Sequence, residues 1–241
     1  MTEIWELKED WDNNWTSWKD LSFYDLHIED MDEVAVEFTQ RLLNLSKEAR
    51  QWPIYEFLKN KFAMFRDTMP LITDLRDESI RPRHWNDIRF EVKEEFNEQS
   101  DDFTLEKIFE LDLVKHSAFI DELAHSAKKQ LKIEKGLSEI KRIWEEDPAA
   151  NLDISKERSK ADNEEFYKVN GTENIIALIE DHSAQLANFK SSPYYKQFNE
   201  KIDFWENNIA SITETLELLI QVQGKWLYLE SIFKGQPDLS K

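Results

Sequence analysis

Residues 198–233 read FNEKIDFWENNIASITETLELLIQVQGKWLYLESIF, and one stripe runs through them. Phe198, Ile202, Trp205, Ile209, Ile212, Leu216, Leu219, Val222, Trp226, Leu229 and Phe233 follow one another in steps of three or four residues. That spacing returns each side chain to one face of a 3.6-residue helix, so the stretch predicts a single helix beginning near Pro193. At 1.5 Å per residue such a helix is roughly 60 Å long, beyond the roughly 45 Å diameter of a compact sphere of this chain. The expected class is therefore mainly α, an elongated bundle of long helices.

Working outward, residues 117–146 carry Ile120, Ala124, Ala127, Leu131, Leu137, Ile140 and Trp144 at helical spacing. Asp147-Pro148 stops this second long helix, because proline lacks an N–H and restricts the residue before it. Between the two long helices, Asn151–Ser155 and Glu165–Gly171 alternate apolar with polar, the period of a half-buried strand. They predict a small inserted β-hairpin near 149–170, with the charged stretch Lys156–Glu164 at its tip. Thr172 is placed to cap a further helix through Ile175, Ile176, Leu178 and Ile179.

Toward the N-terminus, residues 1–40 hold twelve acids and two bases, yet Trp5, Trp11, Trp15 and Trp18 recur through them. Trp11, Trp15 and Trp18 share one side of a helix, which either docks on its own domain or presents an aromatic face to a partner. Met31, Val34, Phe38, Leu42 and Leu45 predict a second helix. Pro53, at a first helical position, opens a third through Tyr55, Leu58, Phe62 and Phe65. New short helices are expected at Met69-Pro70, at Arg81-Pro82 and after Thr104. No Gly-rich or Ser-rich linker interrupts the chain before residue 147. The division expected is 1–115, a helical subdomain with the acidic Trp-rich helix, and 116–241, a long-helix subdomain with the hairpin.

Composition narrows the chemistry. Zero Cys excludes disulfides, thiolate nucleophiles and Cys-based zinc sites. Four Gly, none at the spacing of a phosphate-binding loop, leave no Walker or dinucleotide motif. A net charge of -19 opposes binding to nucleic acid or to anionic membrane. The N-terminus has no signal-peptide core, which fits an intracellular protein. Glu122-Leu-Ala-His125 has the spacing of a di-iron ligand pair but lacks a second such pair; Glu180-Asp181-His182 is wrongly spaced. No catalytic residue, metal or cofactor is expected. Arg81, Arg83 and Arg89 around His84-Trp85 form a basic knot, suited to an anion or partner carboxylate, or to the protein's own acids. Lys156, Arg158 and Lys160 of the hairpin are further candidate contacts. Trp85, Trp144, Trp205 and Trp226 are expected to be structural.

Several stretches, in order, resemble one family. Thr68-Met-Pro-Leu-Ile-Thr-Asp-Leu-Arg76, Arg83-His84-Trp85, Phe103-Thr-Leu-Glu-Lys-Ile108, the long helix ending at Trp144, Ser191-Ser-Pro-Tyr-Tyr195, Trp205 and Val222–Phe233 resemble the linker region of dynein heavy chains. Residues 68–108 look most like an axonemal, inner-arm type. The resemblance implies a helical rod with a hairpin that arches across an ATP-hydrolysing AAA+ ring of the same heavy chain. It implies dynein-complex subunits as partners, microtubules only indirectly, and a cytoskeletal, axonemal location. It also implies that the linker continues past Lys241. The rival expectation is a free-standing helical adaptor that binds protein partners through its aromatic N-terminal helix.

Overall fold

The computed structural model describes residues 3–158 and 164–235. Among them are eight α-helices and one two-stranded antiparallel hairpin: α1 Glu3–Trp18, α2 Ile28–Leu43, α3 Pro53–Leu75, α4 Pro82–Val92, α5 Leu105–Glu110, α6 Ser117–Glu146, β1 Asp153–Arg158, β2 Glu165–Asn170, α7 Glu173–Lys190 and α8 Tyr195–Gly235. Packing divides the chain into two compact units, Met1–Lys129 and Gln130–Lys241. Ile120 and Leu123 of α6 join the first core, and Ile133, Leu137 and Ile140 join the second. The division thus falls inside α6, whereas the pattern of breaks in the sequence put it at the start of that helix.

In the first unit, α2 buries Met31, Ala35, Phe38 and Leu42, a run of i, i+4 and i+3 steps that gives it one apolar face. It packs against α3, where Tyr55, Leu58, Phe62, Phe65, Met69 and Ile72 make the matching stripe. Ile4, Leu7 and Trp11 of α1 complete this layer. Each of the Leu, Ile, Phe and Met side chains, fully buried, contributes roughly 1.5–3 kcal/mol. The expected restart at Met69-Pro70 does not occur, because α3 runs through Pro70 to Leu75. Pro70 and Arg66, whose carbonyl loses its N–H donor, both lie on the exposed side, away from the packed face of the helix. Met69, Leu71, Ile72 and Leu75 remain buried around it and hold the helix together.

The shorter elements follow their local signals. Pro82 stands in the first turn of α4, and Lys93 ends that helix in a left-handed conformation at φ 59°. The Thr104 hydroxyl accepts from the Lys107 N–H at 3.4 Å, capping α5. That start is tied to the α1–α2 connection: Phe23 N–H donates to the Phe103 carbonyl at 2.9 Å, and Leu105 N–H to the Leu21 carbonyl at 3.0 Å.

The second unit is built on α6, α7 and α8. Ile133, Leu137 and Ile140 meet Ile175, Ile179 and Leu186 of α7, with Phe198, Ile202, Trp205 and Ile209 of α8 closing the core. Gly136 is needed where α6 and α7 come close: a Cβ there would lie 2.5 Å from Phe189 Cζ. The 41 residues of α8 extend about 60 Å. Its stripe is not buried throughout, however. Among the described residues Leu216 is the last member enclosed by the core, and Leu219, Val222, Trp226 and Leu229 are exposed. Periodicity establishes a helix and its apolar face, but not how far neighbours accompany it.

Candidate functional site

The hairpin and the part of α8 beneath it form the site. β1 pairs with β2 from Asp153↔Asn170 to Arg158↔Glu165, so β1 continues into the charged stretch assigned to the tip. Directly opposed residues share a face in this register. One face carries Ser155, Glu157, Phe166 and Lys168; the other carries Ile154, Lys156, Arg158 and Tyr167. The first face sits on α8. Phe166 packs on Trp226 with ring centroids 4.7 Å apart. The Gln223 amide makes two further bonds, its Oε1 accepting from the Val169 N–H at 2.8 Å and its Nε2 donating to the Val169 carbonyl at 2.9 Å. A side-chain amide thus takes the place of a neighbouring strand on the outer edge of β2, satisfying two main-chain groups.

The second face is open. Tyr167 is 72% exposed and Ile154 55%, far more than a hairpin side chain retains when covered. Between them, Lys156 and Arg158 share one carboxylate: Glu165 pairs with Lys156 Nζ, and its Oε1 lies 3.1 Å from Arg158 Nη2. Lys168 and Glu157 balance each other across the opposite face at 3.5 Å. The open face therefore combines exposed apolar side chains with a small positive excess in an acidic chain, a combination suited to a protein surface bearing carboxylates. Lys160, the third candidate cation, lies outside the described residues.

The hairpin's root is braced by charge. Arg142 grips Glu139 through Nη2 at 2.6 Å and Nε at 2.9 Å, and reaches Asp147 at 3.3 Å. Asp147 also accepts from the Ala149 N–H at 2.9 Å, a bond that lowers its pKa. Beside this brace, Trp144 is half-buried and its Nε1–H donates to Nδ1 of His182 at 2.9 Å. Burial lowers the His182 pKa, against the opposing pull of Asp181 and Glu139. Its ring therefore favours the neutral form that can accept this bond.

The other candidates fall elsewhere. Trp11 is fully buried, ringed by Phe62, Phe65, Phe38 and Trp18 with centroids 4.6–6.1 Å away. Trp15 and Trp18 are half-buried against the same core. Trp11, Trp15 and Trp18 are therefore turned into their own unit, the first of the two readings open to them, while Trp5 of the same helix is exposed. The basic knot is likewise committed internally. Arg89 reaches Glu98 at 2.6 Å and the Phe96 carbonyl at 3.0 Å, Arg81 reaches the Glu78 carbonyl at 2.6 Å, and Arg83 is engaged within the chain. Trp85 and Trp205 are core residues, but Trp226 is 42% exposed and serves as the hairpin's seat instead. Among the described residues no group of three or more His, Asp and Glu is placed to hold a metal ion. Glu122 and His125 are both exposed. No helix of the described residues is long and apolar enough to cross a membrane.

Gln223, His182 and the exposure of Tyr167 are the features that sequence patterning missed. The alternation Glu165-Phe-Tyr-Lys-Val did place Phe166 and Tyr167 on opposite faces, but nothing local says which face α8 covers. A glutamine one residue off an apolar stripe carries no signal at all.

Comparison with known proteins supplies the family. Residues 1–241 match the family model described as dynein heavy chain, N-terminal region 2. The chain is 37% identical over 241 residues to the dynein-1-beta heavy chain of the flagellar inner arm I1 complex of Chlamydomonas reinhardtii. It is 38% identical over 243 residues to human dynein axonemal heavy chain 2, and 25% identical over 204 residues to a cytoplasmic dynein heavy chain of Caenorhabditis elegans. The first two alignments cover 100% of this chain and 5% of each relative, and the third covers 85% of the chain and 4% of the relative. The chain belongs to the dynein heavy chains, as a segment of their N-terminal region. Within that family it sides with the axonemal and flagellar members, which carries a cytoskeletal location in the cilium or flagellum.

Proposed function

We propose that this chain is the N-terminal part of the linker of an axonemal dynein heavy chain. In this reading it is a mechanical element with no catalytic residues of its own. It transmits ATP-driven changes of an AAA+ ring in the same polypeptide to movement along microtubules, which it touches only indirectly. The ring and the other subunits of the dynein complex are its partners.

The observation that carries the proposal is the hairpin's mounting. A lever must hold its contact point at a fixed place on a stiff body. Here Gln223 and Trp226 fasten β2 to a helix of 41 residues, while Ile154, Lys156, Arg158 and Tyr167 face outward. An α-helix resists bending over this length because each added residue is tied by a main-chain hydrogen bond. The outward face is the surface proposed to touch the ring in one nucleotide state and leave it in another. For the ring to bias the lever, that contact must differ in free energy between states.

The test is made in a full-length motor. Replacing Tyr167 with Ala and both Lys156 and Arg158 with Glu is expected to slow microtubule gliding or uncouple it from ATP hydrolysis. These side chains are exposed, so the fold should survive. Gliding velocity and microtubule-stimulated ATPase rates both equal to wild type would overturn the hairpin's role.

A further inference from the structure

Near the last turn of α6 a polar contact joins that helix to α7 at the edge of an apolar core. Trp144 is half-buried against Ile140, Ile179 and their neighbours, and His182 is 3% exposed. Their rings stand edge to face, 6.0 Å between centroids, and the Trp144 Nε1–H donates to His182 Nδ1 at 2.9 Å. An indole nitrogen carries a proton and accepts nothing, so it is a donor in every state. The bond therefore exists only while Nδ1 is bare and the imidazole proton sits on Nε2.

Charged groups bear on this ring from the elements packed around it. Asp181 is its neighbour on α7 and Glu139 acts on it from α6; both favour the imidazolium, and burial opposes them. Glu139 is itself gripped by Arg142, which also reaches Asp147 just before the hairpin. On α8, Asp203 and Glu206 pair with Lys190, about two turns further along α7.

A second proton must enter at Nδ1, the atom that accepts from Trp144. Two N–H groups then point at each other, and a buried cation has lost a hydrogen bond. Opening the contact relieves both faults by returning the imidazolium to water. What opens with it follows from connectivity. After α6 ends at Glu146, the 3-10 turn Pro148–Ala150 lies against α7 and leads into β1. β2, by contrast, is fastened to α8 by Gln223 and Trp226, whose side chains do not titrate.

We propose that the Trp144–His182 bond is an acid-released latch: one proton taken up by His182 frees the end of α6 and the Pro148–Ala150 turn from α7, while the hairpin keeps its seat on α8. The device belongs to this unit alone and stands whether or not the hairpin touches a ring.

The test is hydrogen exchange of the 241-residue chain followed by NMR between about pH 7.5 and 5. As pH falls below 6.5, the protection of amides 144–150, corrected for the pH dependence of free exchange, is expected to drop by up to about tenfold per pH unit, the limit for one proton. Protection of the Trp144 indole N–H should drop with it, while Val169 and residues 133–140 keep theirs. His182→Gln supplies a carboxamide oxygen that accepts from the indole and does not titrate, so protection at 144–150 should become constant across the range. If that variant fails to fold, the wild-type series still decides. Protection at 144–150 that does not fall below pH 6.5 would overturn the latch. So would a loss shared equally by Val169 and residues 133–140, which is unfolding of the whole unit. A His182→Gln variant that responds to acid as the wild type does would overturn it too, by assigning the response to another group.

Discussion

Trp11 is the most enclosed aromatic side chain of the first unit, and its indole N–H has no hydrogen-bond acceptor among the described residues. Its neighbours are aromatic rings, which accept weakly at best. Two substitutions separate the packing of the ring from the burden of its polar atom. Trp11→Ala removes the whole side chain from a site enclosed by four rings and should cost about 3–5 kcal/mol. Trp11→Phe keeps a ring but leaves a void of roughly 40 Å³, worth about 1 kcal/mol as cavity plus about 1 kcal/mol of lost burial. Against that, it removes a buried unsatisfied donor whose desolvation costs about 1–3 kcal/mol. The two terms nearly cancel, so Trp11→Phe should lie within about 1 kcal/mol of wild type. Urea unfolding followed by far-UV circular dichroism measures both, and amide exchange in α1 and α3 assigns the loss to the first unit. A Trp11→Phe variant as unstable as Trp11→Ala would refute the reasoning, because the N–H would then be contributing stability.

Gly136→Val places branched carbons where a Cβ alone would lie 2.5 Å from Phe189 Cζ; overpacking of about 1–3 kcal/mol is expected in thermal unfolding of the second unit. Gln223→Ala removes both bonds to Val169, and at about 0.5–1.5 kcal/mol each the Val169 amide should exchange about tenfold faster or more. The pH dependence follows from His182, whose pKa is lowered from 6.5 by burial. The unfolded chain takes up a proton below pH 6.5 more readily than the folded one. This contribution to stability is thus complete above that pH and declines as pH falls toward the lowered folded value. Replacing His182 with Gln should flatten that part of the stability profile, and an unchanged slope would count against the assignment.

Helices were legible wherever the apolar stripe was regular and a stop signal was present. Ser117–Glu146 could be read because Asp147-Pro148 ends it. The course of α3 could not, because Pro70 signals a break locally, whereas the burial of Met69, Leu71, Ile72 and Leu75 around it is a tertiary fact that carries the helix on to Leu75. Burial was harder to read than helicity. The same three-and-four spacing encloses Trp205 and exposes Trp226, since the difference lies in which elements run alongside, a fact of tertiary structure. The hairpin was visible in alternation, and its charged residues in composition. Its attachment was not, because Gln223 recognises main-chain atoms, which every sequence possesses at every position.

The attachment through Gln223 has one consequence of its own. An amide is uncharged and does not titrate, so its bonds to Val169 should persist across changes in ionic strength and acidity. The bridges of Lys156, Arg158 and Lys168 are solvent-facing and weaken as counterions crowd around them. Concentrated salt should therefore free the charged side chains of the two strands while leaving their footing on α8 undisturbed.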